Sequence, residues 1–107
     1  MTNTLSIYAR EFNSNCLGWE NNRDWNLILL KMHQNYFNDK LKVRKKVFLN
    51  DVYETLGIPI ETKYIGIGWD IDRDGDGFID FGIFDHNRDD EGPNIMLDFN
   101  VDGQIIF

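Results

Sequence analysis

Five aspartates and two glycines alternate within residues 70–80, and this spacing is the part of the chain best suited to chemistry. Carboxylates on alternate residues can converge on one hard cation because the backbone curls around it, and glycine permits the sharp turn. Residues 72–77 match the first half of an EF-hand calcium loop, and Ile79 suits its eighth position. The candidate Ca²⁺ ligands are the side chains of Asp72, Asp74, Asp76 and Asp80 and the carbonyl of Phe78.

The second half of the calcium pattern fails. Ile83 stands where the loop should carry a bidentate Glu, and Asp85 lies two residues further along. Both flanks also have the period of strands rather than of helices. The alternative is an acidic hairpin turn, because Asp and Gly tolerate the left-handed conformations that tight turns need. A weak Ca²⁺-binding module and an acidic turn therefore both stay open.

Other candidate chemistry is thinner. His33 falls in a predicted helix, His86 could join a metal site with Asp85 only if its loop folds back, and Cys16 has no base near it in sequence. A phosphate-binding glycine loop, a zinc-ligand spacing and a nucleophile elbow are all missing from the sequence. We therefore predict no catalytic residues and no enzyme. A Mg²⁺-dependent nuclease is disfavoured because an acidic surface would repel its substrate.

The net charge of −7 is unevenly spread. Residues 1–68 carry nine Lys or Arg against seven Asp or Glu, whereas residues 69–107 carry two against eleven. Direct nucleic-acid binding is disfavoured, and the acidic half is expected to attract cations or a basic protein surface. The predicted partner-binding residues are Asp72, Asp74, Asp76, Asp89, Asp90 and Glu91.

The composition suits a single domain over residues 1–107, because 42% of the residues are hydrophobic and 14% are aromatic. Cys16 is the only cysteine, so no intramolecular disulfide is possible and a reducing compartment is expected. The N-terminus lacks the features of a secretory signal, and no apolar run reaches the roughly 20 residues that span a bilayer. We expect a cytoplasmic protein with no membrane partner.

The sequence around the aspartates predicts an α+β fold that positions them. It comprises a leading segment 1–21, a helical part 22–58 and an antiparallel sheet 63–107. Apolar residues recur at steps of three and four along the first helix, which predicts that they form its buried stripe. This stripe comprises Trp25, Ile28, Leu29, Met32, Tyr36 and Phe37. Asn22 or Asp24 is expected to cap this helix. The basic run 40–46 suits its C-terminal end or a partner-binding patch.

A second helix is predicted to begin at a cap on Asn50 or Asp51, to bury Val52, Tyr53 and Leu56, and to end at Gly57. Strands are then expected at residues 64–71, 78–84, 95–99 and 104–107. The two N-terminal helices would pack on a three- to four-stranded β-meander, with the aspartates at the first hairpin. The inward residues would be Ile79, Phe81, Ile83, Ile95, Leu97 and Phe99. The last strand, as an edge, could pair with a second copy and give a homo-oligomer.

Several motifs occur together: residues 48–54 with 56–59, Gly68-Trp69, Gly75-Asp76 before 79–83, and 97–103. From about residue 25 to 103 the chain resembles a family of short uncharacterised proteins, a domain of unknown function, from Gram-positive bacteria, their phages and other mobile elements. The resemblance implies a phage or mobile-element accessory protein in a bacterial host cell. Asp72 and Asp74 are additional to the pattern of that family.

These observations lead us to expect a non-enzymatic acidic protein that acts by protein–protein binding. In one version the spaced carboxylates mimic DNA phosphates and block a host-defence nuclease, as an anti-CRISPR or anti-restriction protein. One alternative is a small phage structural or assembly protein. The other is the weak Ca²⁺-binding module, in which Ca²⁺ would be the one cofactor.

Overall fold

A computed structural model describes residues 5–83 and 92–106 as an α+β protein with two helices and two small antiparallel sheets. The elements are β1 (Arg10–Phe12), α1 (Arg23–Arg44), β2 (Lys46–Phe48), α2 (Leu49–Leu56), β3 (Ile67–Asp70), β4 (Ile95–Leu97) and β5 (Gly103–Gln104), with a 3₁₀ turn at Thr62–Tyr64. The predicted α+β class is confirmed. Within the described ranges, no helix is long and apolar enough to cross a bilayer.

Helix α1 begins where the sequence predicts. The Asn22 side chain accepts a hydrogen bond from the Trp25 backbone N–H at 3.0 Å, so the first turn is capped. The helix ends at Lys45, whose left-handed backbone (φ 72°) lets its N–H donate to the Leu41 carbonyl.

The predicted buried stripe of α1 is largely wrong. Trp25, Ile28, Met32 and Tyr36 are exposed, and only Phe37 of that set is fully buried. The face that packs on the core carries Asn26, Leu30, Phe37 and Leu41, with half-buried Gln34 and Asn38 between them. Polar residues at these inward positions interrupt the apolar periodicity, so the pattern did not identify this face as the buried one. They are tolerated there because their amides hydrogen-bond to backbone groups.

Helix α2 follows β2 without a loop. Phe48 occupies the N-cap position and makes no side-chain capping bond, so the predicted caps Asn50 and Asp51 are wrong. Asn50 instead binds the backbone N–H and carbonyl of Glu61 at 3.2 and 3.0 Å. The predicted end is confirmed, because Gly57 adopts φ 77°. The predicted inward residues Val52, Tyr53 and Leu56 are also buried.

Neither sheet is the predicted meander. Strand β1, from the leading segment, pairs with β4, so that Arg10 lies opposite Leu97. Strand β2, from between the helices, pairs with β3, which also pairs with β5. Val47 lies opposite Trp69, and Gly68 lies opposite both Phe48 and Gly103. Strands are therefore shorter than predicted, and their neighbours come from distant parts of the chain.

The predicted strand 78–84 is not a strand in its described part, which we call segment 78–83. On one side its backbone binds α1 side chains: Asn38 pairs with both backbone groups of Ile79 (2.7 and 2.9 Å), and the Phe81 N–H donates to Gln34. The carbonyls of Asp80 and Phe81 accept from the backbone N–H groups of residues 100 and 98. Helix side chains replace a neighbouring strand, so no ladder forms.

The inward residues of this half are nevertheless those predicted. Buried positions include Ile79, Phe81, Ile83, Ile95, Leu97 and Phe99. They join one core with α1, α2 and β3, in which the Phe99 ring makes edge contacts with Tyr53 and Phe81 at centroid distances of 5.6 and 5.2 Å.

Candidate functional site: the aspartate loop

The aspartate loop, residues 70–80, connects β3 to segment 78–83. It is not the tip of the predicted hairpin, because β3 pairs with β2 and β5 and not with the segment that follows the loop. The loop therefore leaves the sheet and is held by side chains from other parts of the chain.

Asp70 and Asp102 fix the beginning of the loop. Asp70 is only 9% exposed; its Oδ1 accepts from the Asp72 N–H at 3.0 Å, and its Oδ2 lies 3.4 Å from Lys46 Nζ. The Asp70 N–H in turn donates to Asp102 Oδ2 at 2.9 Å, and the Asp102 N–H donates to the Gly68 carbonyl at 2.8 Å. These two carboxylates are structural, since each binds a backbone N–H.

Asn100 fixes the end of the loop. Its Oδ1 accepts from the Trp69 indole N–H at 2.9 Å and from the Asp80 N–H at 2.7 Å. Its Nδ2 donates to Asp76 Oδ2 at 2.9 Å and to the Phe78 carbonyl at 3.0 Å. A primary amide offers two donor hydrogens and two acceptor sites, and here all four are used.

Glycine is favoured at two points of the loop. A Cβ at Gly75 would lie 2.3 Å from Asp102 Oδ1, so a side chain there would displace the carboxylate that accepts from the Asp70 N–H. Gly77 has φ 78°, a left-handed conformation that costs other residues about 1–2 kcal/mol.

The structure separates the predicted ligands into two groups. Asp72, Asp74 and Asp76 are exposed, whereas Asp80 is half-buried with Oδ1 accepting from the Gly82 N–H at 2.8 Å. The Phe78 carbonyl and one Asp76 oxygen are bound to Asn100. Within residues 5–83 and 92–106, no group of three or more His, Cys, Asp or Glu is arranged to hold a metal. Calcium binding stays a prediction.

The other predicted partner-binding residues, Asp89, Asp90 and Glu91, lie outside the described residues, as do Asp85 and His86. The structure thus places half of the predicted set, Asp72, Asp74 and Asp76, on one exposed loop.

The remaining candidates for chemistry are half-buried. Burial lowers the pKa of His33, which favours its neutral form. Burial raises the pKa of the Cys16 thiol and so disfavours the reactive thiolate. Both side chains therefore suit packing better than catalysis.

A cluster around Arg10 was not predicted from the sequence. The Arg10 guanidinium pairs with Glu61 and lies 5.3 Å from the Tyr53 ring centroid and 5.9 Å from that of Tyr64. Both phenols donate to the N-terminal segment, Tyr53 to the Tyr8 carbonyl at 2.6 Å and Tyr64 to the Ile7 carbonyl at 3.0 Å. Arg10 lies 51 positions before Glu61 in sequence, so no local pattern reveals the cluster.

An exposed apolar surface, which we call the outer face of α1, was wrongly predicted to be buried. It consists of Trp25, Ile28, Met32, Tyr36 and Val43, all exposed. Its periodicity was visible, but periodicity alone does not distinguish a core face from an exposed apolar face.

Comparison with known proteins gives a family and no function. Residues 3–106 match the Family of unknown function (DUF6353). No curated protein and no solved structure is significantly similar. The match covers the whole described fold, including the aspartate loop and the anchors Asp102 and Asn100. The predicted resemblance to a family without known function is therefore confirmed, and the chain belongs to DUF6353.

Proposed function

We propose that this protein is a non-enzymatic accessory protein of a phage or mobile element that binds a basic protein surface in the cytoplasm of its bacterial host. The aspartate loop is the proposed contact. The observation that carries the proposal is that Asp72, Asp74 and Asp76 are exposed on a loop whose two ends are anchored by Asp70, Asp102 and Asn100.

Anchoring supports binding because a loop that is already ordered loses little conformational entropy when it meets a partner. Charge supports it as well, since residues 69–107 carry eleven acids and two arginines and would attract a basic surface over a distance. A DNA-binding cleft is a basic surface of this kind, lined by Lys and Arg that contact phosphates. The proposed partner is therefore the DNA-binding surface of a host-defence nuclease.

The test is inhibition of DNA cleavage by a panel of restriction and RNA-guided nucleases. Wild type is compared with a loop variant, D72N/D74N/D76N, and with a control variant, E20Q/D51N/E54Q, which removes the same three charges from exposed positions elsewhere. We expect wild type to inhibit at least one nuclease in competition with DNA. The loop variant should be weaker by about tenfold or more, and the control should inhibit nearly as well as wild type.

Two results count against the proposal. Equal inhibition by wild type and the loop variant, with both melting at similar temperatures, removes the loop as the contact. An absence of inhibition and of binding across the panel argues against DNA mimicry altogether.

Calcium binding by the same loop is the second candidate, favoured by the exposure of three of its five predicted ligands, Asp72, Asp74 and Asp76. Calorimetric titration with Ca²⁺, and thermal melts with Ca²⁺ or EDTA, test it directly. Binding heat that disappears in the loop variant supports a calcium module; no heat and no shift in melting temperature at millimolar Ca²⁺ leaves a bare acidic loop. A structural or assembly role, the further alternative, would instead appear as large homo-oligomers.

A further inference from the structure

Helix α1 has two apolar faces, and only one of them packs on the core. Its inner face contributes Leu30, Phe37 and Leu41, which are at most 1% exposed. The outer face lies on the opposite side of the helix. Its five residues are exposed by 48 to 80%: Trp25, Ile28, Met32, Tyr36 and Val43. Isolated exposed apolar residues are normal, but five aligned on one helix face mark an interaction surface. Exposed Asp39 lies between Tyr36 and Val43 in this row.

The composition of the outer face suits a protein interface. Aromatic residues and methionine are enriched in interfaces, and the row contains Trp25, Tyr36 and Met32. Trp25 is also held in place, because its indole N–H donates to the Gly18 carbonyl at 3.0 Å. A pre-positioned Trp costs little entropy when it is covered and is a common energetic anchor.

Charged residues beside the outer face indicate which partner would pack on it. Asp24 lies in the first turn of α1 and Lys42 in the last, separated by about five turns, so that both flank the same edge of the outer face. Trp25 and Val43 have the same separation and lie along the row itself. A second copy of α1 running antiparallel brings Asp24 beside Lys42 at both ends. A parallel copy would leave Asp24 level with Asp24 and Lys42 level with Lys42, on opposite edges of the interface, so that no contact between Asp24 and Lys42 would form.

We propose that two copies of this chain pair antiparallel through the outer face of α1. The two-fold axis passes between Met32 and Tyr36, so that Met32 packs on Tyr36 of the second copy and Trp25 packs on Val43 of the second copy. Antiparallel helices also place the N-terminal end of each copy beside the C-terminal end of the other, where the helix macrodipoles are complementary and Asp24 lies near Lys42 and Arg44.

The expected dimer depends on concentration. Helix α1 has 22 residues and is about 33 Å long, and one helix face buries less than the usual area of a stable interface. This pairing is independent of the aspartate loop, so its failure would leave the proposed function untouched.

The first test is sedimentation velocity of wild type from about 1 to 200 μM, together with two variants. Met32→Lys places a charge at the centre of the outer face. Ile65→Lys makes the same kind of change at another exposed residue, away from α1. We expect wild type and the Ile65 variant to dimerise with similar affinity, and the Met32 variant to dimerise at least about tenfold more weakly.

The second test is a charge exchange, which also fixes the orientation. D24K alone and K42D alone should each weaken the dimer, because each places like charges together. Mixing the two variants, or combining both changes in one chain, should restore it, because opposite charges meet again. In a parallel dimer Asp24 and Lys42 do not meet, so neither single change would weaken the dimer in this way.

Several outcomes would overturn the proposal. Wild type that stays monomeric at about 200 μM excludes a dimer of useful affinity and leaves the face to a different protein. Dimerisation that survives Met32→Lys but is lost in Ile106→Lys assigns the contact to the C-terminal edge strand. Melting curves of all variants show whether a loss of dimer merely reflects unfolding.

Discussion

Single amides determine much of this structure. Asn26, Asn38 and Asn50 each bind both the N–H and the carbonyl of one backbone residue, as a neighbouring strand would. Asn100 uses its whole amide to hold the aspartate loop against Trp69 and segment 78–83. Such contacts are costly to break where the group left behind is buried and unsatisfied, as at Ile79 and the Trp69 indole.

Asn100→Ala should destabilise the protein by about 2–4 kcal/mol, since it leaves the buried Trp69 indole N–H and the Asp80 N–H without their acceptor. Urea denaturation measures the change. Asn15→Ala, at an exposed asparagine before α1, is the matched control and should change stability by less than about 0.5 kcal/mol. Equal effects of the two substitutions would contradict the role given to Asn100.

The loop could be located from sequence, but its anchors could not. Alternating aspartates and glycines are a local signal, and they correctly placed an exposed acidic connection at residues 72–76. Asn100 and Asp102 lie 20 to 32 residues away from their loop partners. Nothing in their own neighbourhood indicates that they bind it, because tertiary hydrogen bonds leave no periodic pattern.

At the scale of elements, too, features with a local sequence signal could be predicted, whereas contacts between distant parts of the chain could not. The bounds of α1 follow from capping and periodicity, and the inward residues of the C-terminal half follow from alternation. The element against which each helix or strand packs does not follow from such local patterns. Segment 78–83 has the alternation of a strand, yet α1 supplies the hydrogen bonds on one of its sides through Gln34 and Asn38.

Asn38→Ala should loosen segment 78–83. We expect a loss of about 1–3 kcal/mol in stability, because the Ile79 N–H is left without an acceptor. Amide hydrogen exchange at Ile79 should also be faster in the variant than in wild type, whereas exchange in α2 should change less. Asn35→Ala, at an exposed position on the same helix, controls for the change in helix propensity. Unchanged exchange at Ile79 would show that Asn38 is dispensable.

At the scale of the whole molecule, the Arg10 cluster ties the N-terminal segment to the rest of the fold. Arg10 joins β1 to Glu61, before the 3₁₀ turn, and to the rings of Tyr53 and Tyr64. Burial raises the pKa of Tyr53, so its hydroxyl stays a hydrogen-bond donor to Tyr8 at physiological pH. We therefore expect low pH to weaken the contacts between the N-terminal segment and the rest of the fold.

The hydrogen bond from Arg10 lowers the pKa of Glu61 below its usual value of 4.5. The stability that this carboxylate contributes is present above the pKa of the unfolded chain and is lost as the pH falls through the lower pKa of the folded protein. Wild type should therefore be more stable than Glu61→Gln at pH 7, with the difference shrinking in acid. Urea denaturation at about pH 7 and about pH 3 measures it.

Glu54→Gln, at an exposed position on α2, is the control for that comparison and should give no difference that depends on pH in this way. A difference between wild type and Glu61→Gln that stays constant down to pH 3 would show that the ion pair does not contribute as inferred.

The amides on the inner face of α1 have a consequence during synthesis. Gln34 and Asn38 leave the ribosome before their partners Phe81 and Ile79, which follow about 47 and 41 residues later. Until then the nascent helix has no sheet to pack against, and a wholly apolar inner face would be left facing water. Two hydrated amides interrupt that face, so the nascent chain exposes less apolar surface to other molecules. The same amides pack on segment 78–83 once the C-terminal half has been synthesised.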